Sequence, residues 1–316
     1  MNSYAGPCGT VWNEQREIYH GSDIILSQWA HDELDRSIAR ADAADPVHRM
    51  KTGQQKILRF HGDIVHVVRP GWQVYGHLLL DILPALWLYK RLRREGMLSA
   101  SNEKILLPIG LPPWAWNIMQ FLCDIKQEDC LLYNEPDEVV LPNRLYLPSN
   151  LRIDNTFSPL MNTMIEEIVA KCDQIENGGG TSNTPKRIFV YRGSRYSFVQ
   201  RSIVNEDELV DIAKTYNVTP IDPVELAWTD QVRLFAHADL VIGAFGSGMH
   251  NTIFSKPSTR SLILTNSRMN WIQSGISALR QQRMGYVWPS QEDNEAGGAS
   301  MVYDPDTFKQ ALAHLV

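Results

Sequence analysis

Apolar residues in the second half of the chain come as short unbroken runs: RIFVY at 187–191, VTPI at 218–221, DLVIG at 239–243 and SLILT at 261–265. Runs of this length suit strands buried on both faces, as in a parallel sheet. Between them apolar positions recur every three or four residues, the period of a half-buried helix. Helices are predicted at 205–216, at 229–238, opening at 247–255, and around Trp271–Arg283. The first has Leu209, Ile212, Ala213 and Tyr216 on one face, with Asn205 and Glu208 at capping-box spacing. Strands alternating with helices imply a parallel sheet with right-handed crossovers, a Rossmann-like domain.

The first half is less regular. KILRF and DIVHVV flank His61-Gly62 and read as a hairpin. The stretch 76–94 reads as one helix bent at Pro84. KILLP at 104–108, an aromatic helix with Trp114, Trp116 and Phe121, and CLLY at 130–133 suggest a second α/β unit. A helix with Leu160, Met164, Ile165, Ile168, Val169 and Cys172 on three- and four-residue spacing follows. Then ENGGGTSNTP at 176–185, with no apolar residue, reads as a linker. The expected organisation is a first α/β domain over 1–155, a connecting helix and linker over 156–185, a Rossmann-like domain over 186–300, and a last helix within 301–316.

Composition narrows the class. The 316 residues carry a formal charge of −6, which disfavours a nucleic-acid partner. The start lacks a signal-peptide pattern, and the longest apolar run, 77–89, is broken by Asp81 and Pro84 and is too short to span a bilayer. A cytoplasmic protein is expected, with a peripheral contact at the inner membrane left open. The cysteines, Cys8, Cys123, Cys130 and Cys172, lack metal-site spacing and read as buried free thiols.

Two clusters suggest chemistry. VIGAFGSGMHNTIF at 241–254 places Gly246, Ser247 and Gly248 where a buried strand ends and a helix begins. Glycines allow a sharp turn, and a helix start offers amides to an anion, phosphate above all. YRGSRYSFVQRSIVNEDEL at 191–209 places Arg192, Arg195 and Arg201 after the preceding strand, and arginines suit a diphosphate. Ordinary turn chemistry and a solvated basic loop would account for either cluster alone.

Together, in order, R-x-x-x-x-x-R-x-I-x-N-E-x-E-L, D-Q-V-R-L-F-A-x-A-D-L-V-I-G and G-S-G-x-x-N resemble glycosyltransferase family 61. GHLLLDILPALWL at 76–88 is similar to that family's first motif, a His and an Asp four apart followed by Leu-Pro. The resemblance covers roughly 70–270. It implies a GT-B-like α/β architecture: two Rossmann-like domains facing a central cleft, in which a last helix can cross back to the first. It also implies an inverting transfer without bound metal or cofactor. A nucleotide-diphosphate sugar, expected to be UDP-linked, would give its sugar to a glycan or lipid-linked glycan in surface polysaccharide synthesis. Donor contacts then fall on Arg192, Arg195, Arg201, Glu206, Phe245, Gly246, Ser247, Gly248, His250 and Asn251.

Phe245 stands where the family usually has His. His250 is a candidate substitute for that contact, and the same Phe245 keeps alive a catalytically silent nucleotide-sugar-binding protein. A Rossmann-type oxidoreductase is a poorer fit: its glycine fingerprint is incomplete and LILTNSRMN offers no acid for a ribose.

His77 and Asp81 lie one helical turn apart on one face. They are the first domain's best acid–base pair, with His77 as base and Asp81 orienting it. Asp81 as the base, with His77 binding substrate, is the other assignment. Asp304-Pro305-Asp306 matches a metal-binding Asp-x-Asp literally, but Asp306 reads as an N-cap. Lys90, Arg91, Arg93 and Arg94 read as a solvated helix end, and most tryptophans as core.

Overall fold

The computed structural model describes residues 3–6, 10–15, 49–50, 52–98, 102–135, 137–175, 184–192, 201–267, 269–293 and 299–316. The chain divides into two compact units, 1–158 and 159–316.

In the first unit, short strands β1 (Tyr4–Ala5) and β2 (Val11–Trp12) precede the long β3 (Lys56–His66). Next come α1 (Tyr75–His77), a π-helical turn (Leu78–Ile82) and α2 (Leu83–Arg94). They are followed by β4 (Glu103–Pro108), α3 (Pro113–Cys123), β5 (Cys130–Tyr133) and β6 (Glu138–Tyr146). A small hairpin of β7 (Arg152–Ile153) and β8 (Thr156–Phe157) closes the unit. β6, β3, β4 and β5 run parallel in that order, and β1 and β2 extend the sheet antiparallel beyond β6. Counted along the chain, the parallel strands stand 4-1-2-3, one half of a doubly wound sheet. The winding reverses between β3 and β6, whose carboxyl ends border the crevice where such sheets take ligands.

Two readings of this half need correction. His61-Gly62 makes no hairpin: β3 continues through it beside β6, and the register shifts between Phe60 and Asp63. The dipeptide is a bulge, the other use of a small residue inside a strand. Nor is 76–94 a single bent helix. Pro84 lies in the first turn of α2, and its missing N–H interrupts the ladder behind it. The chain resolves this with the π turn, closed by the Leu83 N–H on the Leu78 carbonyl. At the basic end of α2, Arg91 pairs with Glu95 (2.7 Å) and lies over Trp87, and Arg93 pairs with Glu103 (2.9 Å).

The second unit opens with α4 (Leu160–Asp173), which buries Met161, Met164, Ile165, Ile168 and Cys172. The helix read as a connector packs on α6 (Trp228–His237) of this unit. Around it are β9 (Arg187–Val190), β10 (Arg201–Ile203), α5 (Glu206–Lys214), β11 (Thr219–Ile221) and β12 (Leu240–Ala244). A 3₁₀ helix (Ser247–Phe254) stands where an α-helix was expected, before β13 (Arg260–Leu264) and α7 (Ile272–Arg280). β14 (Arg283–Val287), β15 (Gln291–Asp293), β16 (Ala299–Val302) and α8 (Pro305–Leu315) complete it. The main sheet is wholly parallel in the order β11-β9-β12-β13-β14, and β10-β16-β15 form a separate small sheet. By chain order the main strands stand 2-1-3-4-5, so this winding reverses between β9 and β12. The presumed linker's residues 176–183 lie outside the described residues.

In α8, Phe308 and Leu312 are buried in the second unit's own core with Phe189, Leu209 and Leu262, and Phe308 meets Phe189 edge-on at 6.4 Å. Asp304, not Asp306, caps that helix, accepting from the Thr307 amide (2.8 Å) and hydroxyl (2.7 Å). Pro305 takes the first helical position, which its fixed φ suits. The Asn205–Glu208 capping box is also absent: Asn205 caps no amide of α5. Its amide bonds Glu208 (3.1 Å) and pairs with both backbone groups of Tyr303, giving to the carbonyl (2.8 Å) and accepting from the N–H (3.1 Å). Cys123, Cys130 and Cys172 are free thiols, Cys130 only half-buried, and Cys8 lies outside the described residues.

Candidate functional site

In the first unit, β3 delivers the chain to the carboxyl edge, and residues 67–74 turn it into α1. Gly71 makes that turn with φ +79°, a conformation side chains resist. Its bare backbone also seats His77: a Cβ there would lie 2.5 Å from the imidazole Cδ2. Trp72 is anchored beside it by its indole N–H on buried Glu135 (2.9 Å). His77 ends α1 and Asp81 sits in the π turn, with Nδ1 and Oδ2 2.9 Å apart.

Asp81 is braced from a second direction. Arg152 of β7 donates Nε to Oδ1 (2.8 Å) and Nη2 to Oδ2 (3.0 Å), and its Nη1 holds the Asp154 carbonyl (2.6 Å). Behind it the buried Arg69 ties the two loops leaving β3 and β6. It donates to the His66 and Val68 carbonyls, to the Asn150 side chain (2.9 Å) and to the Pro148 carbonyl (3.0 Å). Burial lowers the Arg69 pKa to about 10, and the nearby Asp81 charge opposes the fall. For Asp81 burial acts upward, but the His77 hydrogen bond and the Arg152 charge outweigh it and hold the carboxyl below its usual range. Asp81 is therefore a carboxylate whose oxygens are engaged by a guanidinium and an imidazole. The neutral His77 tautomer that donates Nδ1–H to it carries its lone pair on Nε2, the atom a general base needs.

In the second unit, Arg192 follows β9 and the glycine turn follows β12, the two strands at the winding reversal. Gly246 takes φ 147° and ψ −173°, a region essentially reserved for glycine. Gly248 packs close to β9, where a Cβ would stand 3.3 Å from the Val190 side chain. The Arg192 guanidinium donates to the Phe245 carbonyl (3.1 Å), and its backbone N–H to buried Glu206 (3.2 Å). Arg192, Glu206, Phe245 and Gly246–Gly248 thus share one edge. The Phe245 ring is buried, so it packs.

The remaining expected donor residues are placed as follows. His250 and Asn251 are buried in the 3₁₀ helix, and the Asn251 amide donates to Gln231 of α6 (3.2 Å). That bond joins two of the quoted motifs, giving Asn251 a structural tie. The backbone of Arg201 lies in β10 of the small sheet, and Arg195 lies outside the described residues. Among the described residues no group of three His, Cys, Asp or Glu stands together as a metal site, and no helix is long and apolar enough to cross a membrane.

Sequence reading missed Arg69, Gly71 and Arg152. An Arg-Pro-Gly just past a buried strand is a usable signal, because it sits at a carboxyl edge. Arg152 had none: it lies 71 residues from the carboxylate it holds. No curated protein matches the chain. The family description Glycosyltransferase 61 matches residues 75–262, which runs from the turn before His77 through the glycine turn to β13. The chain belongs to glycosyltransferase family 61, and it is a glycosyltransferase.

Proposed function

We propose an inverting, metal-independent glycosyltransferase of GT-B-like architecture that uses a nucleotide-diphosphate sugar, UDP-linked by expectation, to extend a surface polysaccharide. One observation carries this reading. Two separate segments, one opening at Arg192 and one at the Gly246–Gly248 turn, converge where the second sheet's winding reverses. That is where α/β sheets take ligands. A guanidinium and the amides of a helix start can take up charge on a departing diphosphate, as a divalent ion does elsewhere.

On the acceptor side, His77 Nε2 takes the hydroxyl proton as the acceptor oxygen bonds the anomeric carbon. The bond to the diphosphate breaks, and the nucleotide leaves with the electron pair. Asp81 orients the imidazole and its charge offsets the imidazolium that forms, while Arg152 holds Asp81 in place. The engaged carboxylate favours His77 over Asp81 as base. A cytoplasmic location and a lipid-linked acceptor belong to the same proposal.

The test is a thermal-shift series with UDP, GDP, CMP and dTDP, followed by transfer assays in EDTA. One nucleotide, expected to be UDP, should raise the melting temperature by mass action, and transfer should persist in EDTA. No shift with any nucleotide would overturn the donor class, and loss in EDTA with rescue by Mn²⁺ would overturn metal independence. The buried Phe245 ring, which brings no titratable group to the turn, favours a second reading: a silent binder that shows the shift without donor hydrolysis or transfer.

A further inference from the structure

The donor crevice proposed above occupies one part of the second sheet's carboxyl edge. At the edge strand β14 the same side carries aromatic rings that this reading leaves unused. Trp271 stands just before α7 and is 49% exposed, and Trp288, just after β14, is 52% exposed. Trp12, Trp72 and Trp87, by contrast, are buried. Tyr286 lies two residues before Trp288. Its ring meets that of Trp271 edge-on, with centroids 5.6 Å apart and planes at 85°. Its hydroxyl shares a 2.7 Å hydrogen bond with Ser274 of α7, which fixes the ring between helix and strand.

Core packing does not account for Trp271. Half of its surface faces water, and its backbone takes φ 59°, the left-handed region that a bulky residue avoids. The loop leading to it is fastened: Glu292 of β15 accepts from the Ser267 amide (3.0 Å) and hydroxyl (2.7 Å). A strained, exposed indole suits an external ligand better than the core. The ligand class follows from the surface. Trp271, Tyr286, Ser274 and Trp288 carry no charge, so an anion has no partner among them. Flat indole faces suit the apolar C–H faces of a pyranose, with the rim hydroxyls left in water. β14 lies two strands from β12, about 10 Å at ordinary strand spacing, which separates these rings from the diphosphate position.

We propose that Trp271 and Trp288, steadied by Tyr286, form a stacking subsite for neutral sugar rings of the acceptor glycan. This rests on the glycosyltransferase reading but is independent of the nucleotide. The experiment is calorimetric titration of the full chain, without nucleotide, with maltotriose, cellotriose, xylotriose, mannotriose and chitotriose. At least one should bind. Trp271→Ala and Trp288→Ala should each weaken it about tenfold, Trp271→Phe should recover part of the loss, and nucleotide thermal shifts should be unchanged.

Trp271→Gly guards against misfolding. It relieves the left-handed strain, so it should melt no lower than the parent yet lose the trisaccharide. Binding of none of the five sugars, or binding unaltered in the folded Trp variants, would overturn the subsite. So would Trp variants that weaken the nucleotide alone, or that only convert a dimer into a monomer by light scattering. A missing nucleotide shift in the parent protein would instead count against the donor reading and leave the trisaccharide result standing.

Discussion

The carboxyl edges of the two parallel sheets are built by opposite means. At the β3–β6 edge, side chains make the geometry: an imidazole on a carboxylate, that carboxylate on Arg152, and Arg69 tying both loops beneath. At the β9–β12 edge the main chain makes it: Gly246 in a conformation closed to other residues, and Arg192 fastened to a backbone carbonyl. A charge lattice can be tuned or broken one partner at a time, and removing a partner strands a buried charge. A main-chain cradle has few polar side chains to lose but tolerates almost no Cβ. This difference sets what each edge should do when disturbed.

The largest effect expected is on turnover at the first edge. His77→Ala should cut transfer with saturating donor by about 10²–10⁴-fold, the usual contribution of a positioned base, and leave nucleotide affinity unchanged. Gly71→Ala should reproduce part of that loss, because its methyl displaces the imidazole. Near-normal turnover in folded His77→Ala would make the pair structural.

Next in size is stability. Arg152→Met leaves the Asp81 carboxylate facing the interior and should cost about 3–5 kcal/mol in chemical denaturation. The double variant with Asp81→Leu should restore most of it. A double variant whose loss equals the sum of the two single losses would deny the coupling.

At the second edge a methyl should do what a guanidinium does at the first. Gly246→Ala should lose about 1–3 kcal/mol of stability through strain alone. Arg192→Ala should weaken nucleotide binding by about 1.5–3 kcal/mol with little change in melting temperature. Equal effects of both changes on both quantities would erase the contrast.

A further effect is graded with pH and arises in the first unit. His66 is fully buried at the end of β3, and burial, then the Arg69 charge, depress its pKa from 6.5 to about 3, against a bond to Thr10. Below pH 6.5 the unfolded chain takes a proton that the folded chain refuses, so stability falls as pH drops toward 3. The slope approaches about 1.4 kcal/mol per pH unit. Asp81 acts in a lower window: its depressed pKa contributes stability above the ordinary carboxylate range, lost only as pH falls through the folded value. Hydrogen exchange read by peptide between pH 6.5 and 4.5 should show the first unit loosening first, and His66→Leu should flatten the trend.

Where a strand is buried on both faces, its letters show it. β9, β12 and β13 lie within a residue of the expected apolar runs. β6 was invisible because Pro142 interrupts EVVLPNRLY, and β14 because RMGYV is a half-exposed edge strand containing Gly285 and only one fully buried residue. The bulge at His61-Gly62 mimicked a turn because a small residue serves both. At the sites, residues adjacent in sequence were legible: His77 with Asp81, and Gly246 with its turn. Arg69 and Arg152 act across long loops, and only the sheet order brings them in.

The Asn205–Tyr303 pairing bears on how the chain is made. The first unit ends at residue 158, and every strand of its sheet has been synthesised by residue 146. The second begins at Pro159 but draws β16, the clamped Tyr303 and the core residues Phe308 and Leu312 from the last part of the sequence. On the ribosome the first unit is free to fold while the second is still being translated. The second waits, with Phe189 and Leu209 uncovered, until α8 has cleared the exit tunnel. Its exposure to chaperones and to aggregation is therefore set by the time taken to synthesise the 125 residues beyond β9, from Tyr191 to Leu315.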